Sequence, residues 1–187
     1  MKKLLLVAVM VLTSAMTFAQ QKEGTLTIQP KVGLNIASLT DFDDSDPRFG
    51  VVAGAEFMYQ ATDMVGLSFG ALYSMQGAKY DKATTKLDYI NIPILANVYV
   101  APGFAVKLGL QPGFNVNSKA KAKSNGVSVE ADFDAKTVDL SLPIGLSYEF
   151  SNFVIDGRYN WGLTKVAKDS DCKNSVFQIT LGYKLPL

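Results

Sequence analysis

The chain has 187 residues, 18 basic against 17 acidic side chains, and 48% hydrophobic residues, enough for one domain with a real core. The near-neutral balance excludes a nucleic-acid partner held by bulk electrostatics. The absence of histidine and the single cysteine, Cys172, exclude Ser-His and Cys-His nucleophiles, cysteine-type zinc sites and any intramolecular disulfide. No catalytic residue, metal site or cofactor is therefore expected.

Residues 1–19 read as a cleaved secretory leader. Lys2 and Lys3 form the positive start, Leu4 to Leu12 the apolar run, and cleavage falls after the small residue Ala19. The apolar run is too short to span a bilayer comfortably, and polar "QQKEG" follows at once. Residues 20–187 form the mature domain.

Helical periodicity is absent from that domain, and period-two alternation recurs along it. Eight runs carry it: Leu26–Leu39, Phe49–Tyr59, Met64–Gln76, Leu87–Val100, Phe104–Asn117, Thr137–Phe150, Phe153–Leu163 and Ser175–Leu185. In each, one parity is almost purely apolar, as in Val65, Leu67, Phe69, Ala71, Tyr73 and Met75. The other parity is small or polar. It carries Lys31, Glu56, Lys107, Asp139, Glu149, Asp156, Arg158 and Lys184. Pro30, Pro93, Pro112 and Pro143 fall inside the runs, where each forfeits a ladder hydrogen bond and predicts a local bulge or a water-served carbonyl.

The connectors alternate in length. "QATD", "APG" and "SN" are tight, while the other four are long. The first long loop holds Asp41, Asp43, Asp44 and Asp46. It lacks the glycine and closing glutamate of a calcium loop and reads as a solvated, self-repelling segment. In the third, Asn125-Gly126 is a hairpin signal. A two-residue turn sets Lys121 opposite Glu130 and Lys119 opposite Asp132. That register conflicts in parity with the flanking runs, so either a bulge between Glu130 and Val138 or a three-residue turn is expected. This hairpin reads either as a solvated loop or as an edge that captures a partner by strand addition. Cys172 sits in the last long loop and is flagged for intermolecular pairing.

Three features turn the apolar face outward. Long loops at one end and tight turns at the other is the layout of an outer-membrane barrel with periplasmic termini. Aromatics of the apolar parity gather near run ends, as interfacial belts do. Tyr59, Phe104, Tyr148, Phe150, Phe153 and Tyr183 lie toward the tight turns, and Tyr73, Phe114, Trp161 and Phe177 toward the long loops, with Tyr159 a further membrane-interface aromatic. The runs are also long enough for a tilted span. The expected fold is all-β, an eight-stranded antiparallel up-and-down transmembrane β-barrel. The inward charges must pair with one another in so narrow a lumen.

"LDYINIPILANVYV", "GFAVKLGLQPGFNV", "IDGRYNWGLTKV" and "FQITLGYKL" resemble the small outer-membrane β-barrel proteins of Bacteroidetes-type bacteria, often called the porin family. The resemblance covers essentially the whole mature chain and implies an eight-stranded outer-membrane barrel with no assigned substrate. Such barrels commonly end on an aromatic, where this chain has Leu185. The expected role is structural or surface-interacting through the long loops, with a lumen plugged by polar side chains. The alternatives are a narrow porin for small solutes and a soluble lipocalin-like carrier. Outer-membrane lipid, a possible extracellular or surface partner, no nucleic acid and a monomeric state complete the expectation.

Overall fold

The computed structural model describes residues 22–40, 46–80, 83–124, 127–132, 135–167 and 171–187. The leader, Asp41, Asp43, Asp44, Asn125 and Gly126 lie outside the described residues. The elements are β1 (Leu26–Leu39), β2 (Asp46–Gln60), β3 (Val65–Tyr80), β4 (Ala83–Asn91), β5 (Ile94–Ala101) and β6 (Phe104–Ser124). They continue as β7 (Val127–Asp132), β8 (Val138–Phe150), β9 (Phe153–Gly162), β10 (Asn174–Tyr183) and β11 (Leu185–Pro186).

Every barrel strand pairs antiparallel with its neighbours. The sheet closes where β1 meets β10, from Lys31 opposite Gly182 to Leu39 opposite Asn174. Closure removes the free edges that could not be satisfied in lipid. Eight walls result, because β4 and β5 share one wall, β11 continues β10, and β7, among the described residues, pairs only with β6. The tight turns are Ala61–Met64, Pro102–Gly103 and Ser151–Asn152, the last with Ser151 at φ 53°. Both ends of the barrel chain lie beside these turns, where the Leu187 amide donates to the Leu26 carbonyl at 3.0 Å.

Alternation sorts the side chains by face. Val32 and Leu34 are 56% and 59% exposed, while Lys31 before them and Asn35 after them are 4% and 0% exposed. The same contrast runs around the wall, from Leu67 and Phe69 on β3 to Ile179 and Leu181 on β10. A soluble lipocalin-like carrier requires the opposite arrangement, so that alternative is overturned. The 14 residues of β1 rise ~46 Å at about 3.3 Å each. Tilted by about 45°, they cover ~33 Å, sufficient for a hydrocarbon core of about 30 Å.

The prolines mark where the ladders break. Pro93 splits one expected run into β4 and β5. Its carbonyl still accepts from the Gly70 amide at 3.2 Å, and the Pro112 carbonyl accepts from the Ile92 amide at 2.8 Å. Each proline therefore keeps half of a reciprocal pair and loses the other half. The two losses meet at one point, the Ile92–Pro93 dipeptide, which accommodates the lipid-facing Pro112. Pro30 lies opposite the junction of β10 and β11. At Pro143 the β6–β8 pairing is interrupted between Leu108 opposite Ile144 and Gln111 opposite Ser141.

Two expected long loops are mostly strand. β3, β4 and β6 run on past the barrel, and β7 folds back on β6 with Lys121 opposite Glu130 and Lys119 opposite Asp132. The parity conflict is resolved by breaking the strand between Asp132 and Val138. A further shift between Asp88 and Tyr89 in the β4–β6 pairing flips the parity of β6 as it leaves the barrel.

Candidate functional site

The lumen and the raised sheet are the two places where chemistry gathers. All eight inward charges expected from sequence are buried, but they do not form one group. Near the tight turns, Lys31 Nζ donates to Glu56 Oε2 at 2.7 Å, and Lys107 Nζ donates to Asp156 Oδ2 at 2.5 Å. Arg158 grips Asp156 with two parallel bonds, Nε to Oδ1 at 2.9 Å and Nη2 to Oδ2 at 2.8 Å. Its Nη1 lies 3.0 Å from Glu56 Oε1. The five residues come from β1, β2, β6 and β9, so the cluster ties opposite walls together across the lumen. Such bidentate guanidinium–carboxylate contacts are the strong, geometrically specific ones.

Lys184 and Glu149 make a separate pair at 2.5 Å, and Tyr99 Oη donates to Glu149 Oε1 at 2.8 Å. Asp139 departs from the expected network. Among the described residues it has no ion partner, and it accepts from Thr164 Oγ1 at 2.6 Å and Asn174 Nδ2 at 3.3 Å. Parity places it inside, but its height puts it at the far end of the barrel, out of reach of Arg158. Arg48 and Asp88 are buried charges that the alternation missed. They stand 3.7 Å apart, Arg48 donates to the Gln76 carbonyl, and Asp88 accepts from Tyr73 Oη at 3.1 Å and Asn117 Nδ2 at 2.8 Å. Arg48 keeps the inward parity of β2 but stands one residue before the expected run, whereas Asp88 lies at the register shift between Asp88 and Tyr89, where period two fails.

A small apolar cluster forms at the long-loop end. Val166 from the last loop packs on Leu87 and Tyr89, with Leu39 and Ala135 beside them. The Lys136 amide donates to the Val166 carbonyl at 2.7 Å, and the Val166 amide to the Cys172 carbonyl at 2.9 Å. Cys172 is 7% exposed, which withdraws its side chain from the surface where intermolecular pairing takes place. Lys165 and Asp171 pair at the surface of this loop. Their mutual hydrogen bond, then their mutual charge, raises the lysine and lowers the carboxyl.

Of the expected interface aromatics, Tyr59, Tyr73, Phe114, Phe150, Phe153, Tyr159, Trp161, Phe177 and Tyr183 are exposed, and Phe104 and Tyr148 half-buried. Phe150 stacks on Tyr148 and Phe153, and Phe153 meets Tyr183 edge-on at 5.2 Å. These four form a continuous aromatic arc beside the tight turns. Tyr159 Oη shares a hydrogen bond with Ser175 at 2.7 Å.

On the raised sheet, Glu130 sits between two lysines, 2.9 Å from Lys86 and 3.5 Å from Lys121. The Lys86 hydrogen bond, then its charge, holds the Glu130 carboxyl below the ordinary range. Asp46, from the acidic loop, begins β2 opposite Lys79.

A closed barrel with greasy walls outside and paired charges within is the geometry of a bilayer-spanning protein. The model of the outer membrane protein beta-barrel domain matches residues 18–168. The chain belongs to that family. Its place is accordingly the bacterial outer membrane. Among solved structures, this family member resembles Ail, the attachment invasion locus protein of Yersinia pestis, at 18% identity and TM-score 0.53 over 88% of this chain and 100% of that one. It also resembles Neisserial surface protein A, at 18% identity and TM-score 0.57 over 87% of this chain and 100% of that one. At that identity the likeness is one of fold. No curated protein matches the chain.

Proposed function

We propose that this outer-membrane barrel keeps its lumen closed and works at the cell surface through the sheet raised above its long-loop end. The observation that carries the reading is β7. Among the described residues it pairs with β6 alone, so its other edge presents unpaired backbone groups, a template for strand addition. Glu130 and Asp132 take one face of that edge and Val129 and Ala131 the other. The complement is an extended segment alternating basic and small apolar residues. Two β7 edges laid antiparallel bring acidic faces together, which supports a monomer. Ail is named for attachment; for this chain the surface role rests on the edge itself.

The reading orients the protein with the tight turns and both barrel termini in the periplasm and residues 1–19 as the export signal. Two features support closure: the five-residue charge cluster across the lumen, and the Val166 cap over its mouth. The test is an NMR titration of the barrel in nanodiscs with a peptide of alternating lysine and valine. Shift changes confined to β7 amides, and lost in Asp132→Lys, are expected. Shifts spread over the barrel wall, or none, overturn the docking edge. Single-channel steps of the wild-type protein in a planar bilayer overturn the closed lumen and restore the narrow-porin alternative.

A further inference from the structure

The charges near the tight turns do not balance. Lys31, Lys107 and Arg158 share only Glu56 and Asp156, and each of the five is 4% exposed or less. The adjacent Lys184 and Glu149 neutralise each other. Three cations therefore stand on two carboxylates. An uncompensated buried charge is among the costliest features a protein can hold.

The donors do not balance either. An ammonium carries three N–H groups. Among the described residues, Lys107 Nζ donates only to Asp156, and Lys31 Nζ only to Glu56. Lys31 is 3.8 Å from Asp156, beyond hydrogen-bond reach. Around them, Gln29 Nε2, Gln178 Nε2, Thr180 Oγ1 and Ser147 Oγ are buried without a partner. The strand register sets these groups beside the cluster. Gln29 lies opposite Glu56, Gln178 opposite Arg158, and Thr180 and Ser147 both opposite Asp156.

One excess positive charge, unused N–H and O–H donors, and both carboxylates already engaged make a site for one negative charge. We propose that the cluster binds a single small monovalent anion of chloride size, held by Lys31 and Lys107 and completed by the neighbouring hydroxyl and amide donors. A divalent oxyanion overshoots the charge, and the lumen of an eight-stranded barrel has little width beyond its own side chains. The anion completes the cluster that braces the turn-proximal lumen, whether or not the raised sheet docks a partner.

Crystals grown in bromide test the assignment, paired with urea unfolding in lipid vesicles at constant ionic strength, with chloride exchanged for gluconate. The expected results are an anomalous peak between Lys31 and Lys107 and an unfolding midpoint that rises with chloride and saturates. Lys107→Met leaves two cations for two carboxylates, so it should fold while losing both the peak and the chloride dependence. No peak in the wild type, with equal midpoints in the two salts, overturns the site in favour of a neutral lysine. A peak that persists in Lys107→Met also overturns it.

Discussion

Arg158 shows how much one side chain can hold. It is 1% exposed and reaches both acids of the lumen cluster. Arg158→Ala removes the guanidinium contacts that fix both acids and leaves a cavity where a large buried side chain stood, so it should cost ~2–5 kcal/mol, the range for truncating such a side chain. The urea midpoint of the protein folded into vesicles measures this, and an unchanged midpoint defeats the bracing role. Lys184 and Glu149 test the complementary rule. Lys184→Met alone strands a buried carboxylate, whereas Lys184→Met with Glu149→Gln removes the charge from both sides. The double variant should be the more stable of the two, because desolvation offsets much of what a buried ion pair gains.

At the scale of elements, the closing seam depends on a glycine. A Cβ on Gly33 stands 1.9 Å from the Ile179 carbonyl oxygen and 2.7 Å from the Thr180 Cα, both backbone atoms that no rotamer change can move. Gly33→Ala should therefore impair closure of β1 on β10, seen as loss of the fast-migrating band of unboiled protein on an SDS gel. The β4–β6–β7 sheet depends instead on charge. The Glu130 carboxyl is lowered in the folded state, so its contribution is complete above the ordinary carboxylate range and fades as pH falls through the depressed value. Protection of the β7 amides, taken relative to the intrinsic exchange rate at each pH, should fall in acid and in high salt, and Glu130→Gln should flatten the pH dependence. This hairpin was legible in the sequence down to its register, because Asn125-Gly126 and the alternating Lys119, Lys121, Glu130 and Asp132 fix the pairing locally. The barrel walls were legible for a similar reason, since period two declares which side chains share a face. Period two says nothing about height along the axis, so Asp139 read as one of the network although it sits at the other end. It also fails at bulges, which hid Asp88, and Arg48 escaped because its inward position lies one residue before the run that the apolar pattern marks. The Val166 cap left no signal, because a loop that folds back has no periodicity to betray it.

For the whole molecule, the two proposed closures lie in series along one axis. The charge cluster crosses the lumen near the tight turns, and Val166 packs with Leu87 and Tyr89 toward the other end. Blocks in series act on passage differently from blocks in parallel, since an ion must clear both. Opening the cap alone should leave the barrel silent. Val166→Ser removes two methyl groups from the cap and adds a hydroxyl, yet it leaves every contact of Arg158 intact, so no single-channel steps are expected in a planar bilayer. Replacing Lys31, Glu56, Asp156 and Arg158 together by serine removes two charges of each sign and shortens four side chains at one level, with the cap untouched. It too should be silent, provided the unboiled band shows that it folds. Combining the two sets of changes leaves no shared barrier, and steps should then appear. Steps in the Val166→Ser variant alone place the whole barrier at the mouth, while silence in the combined variant means that the neutral amides and hydroxyls of the middle lumen close it by themselves.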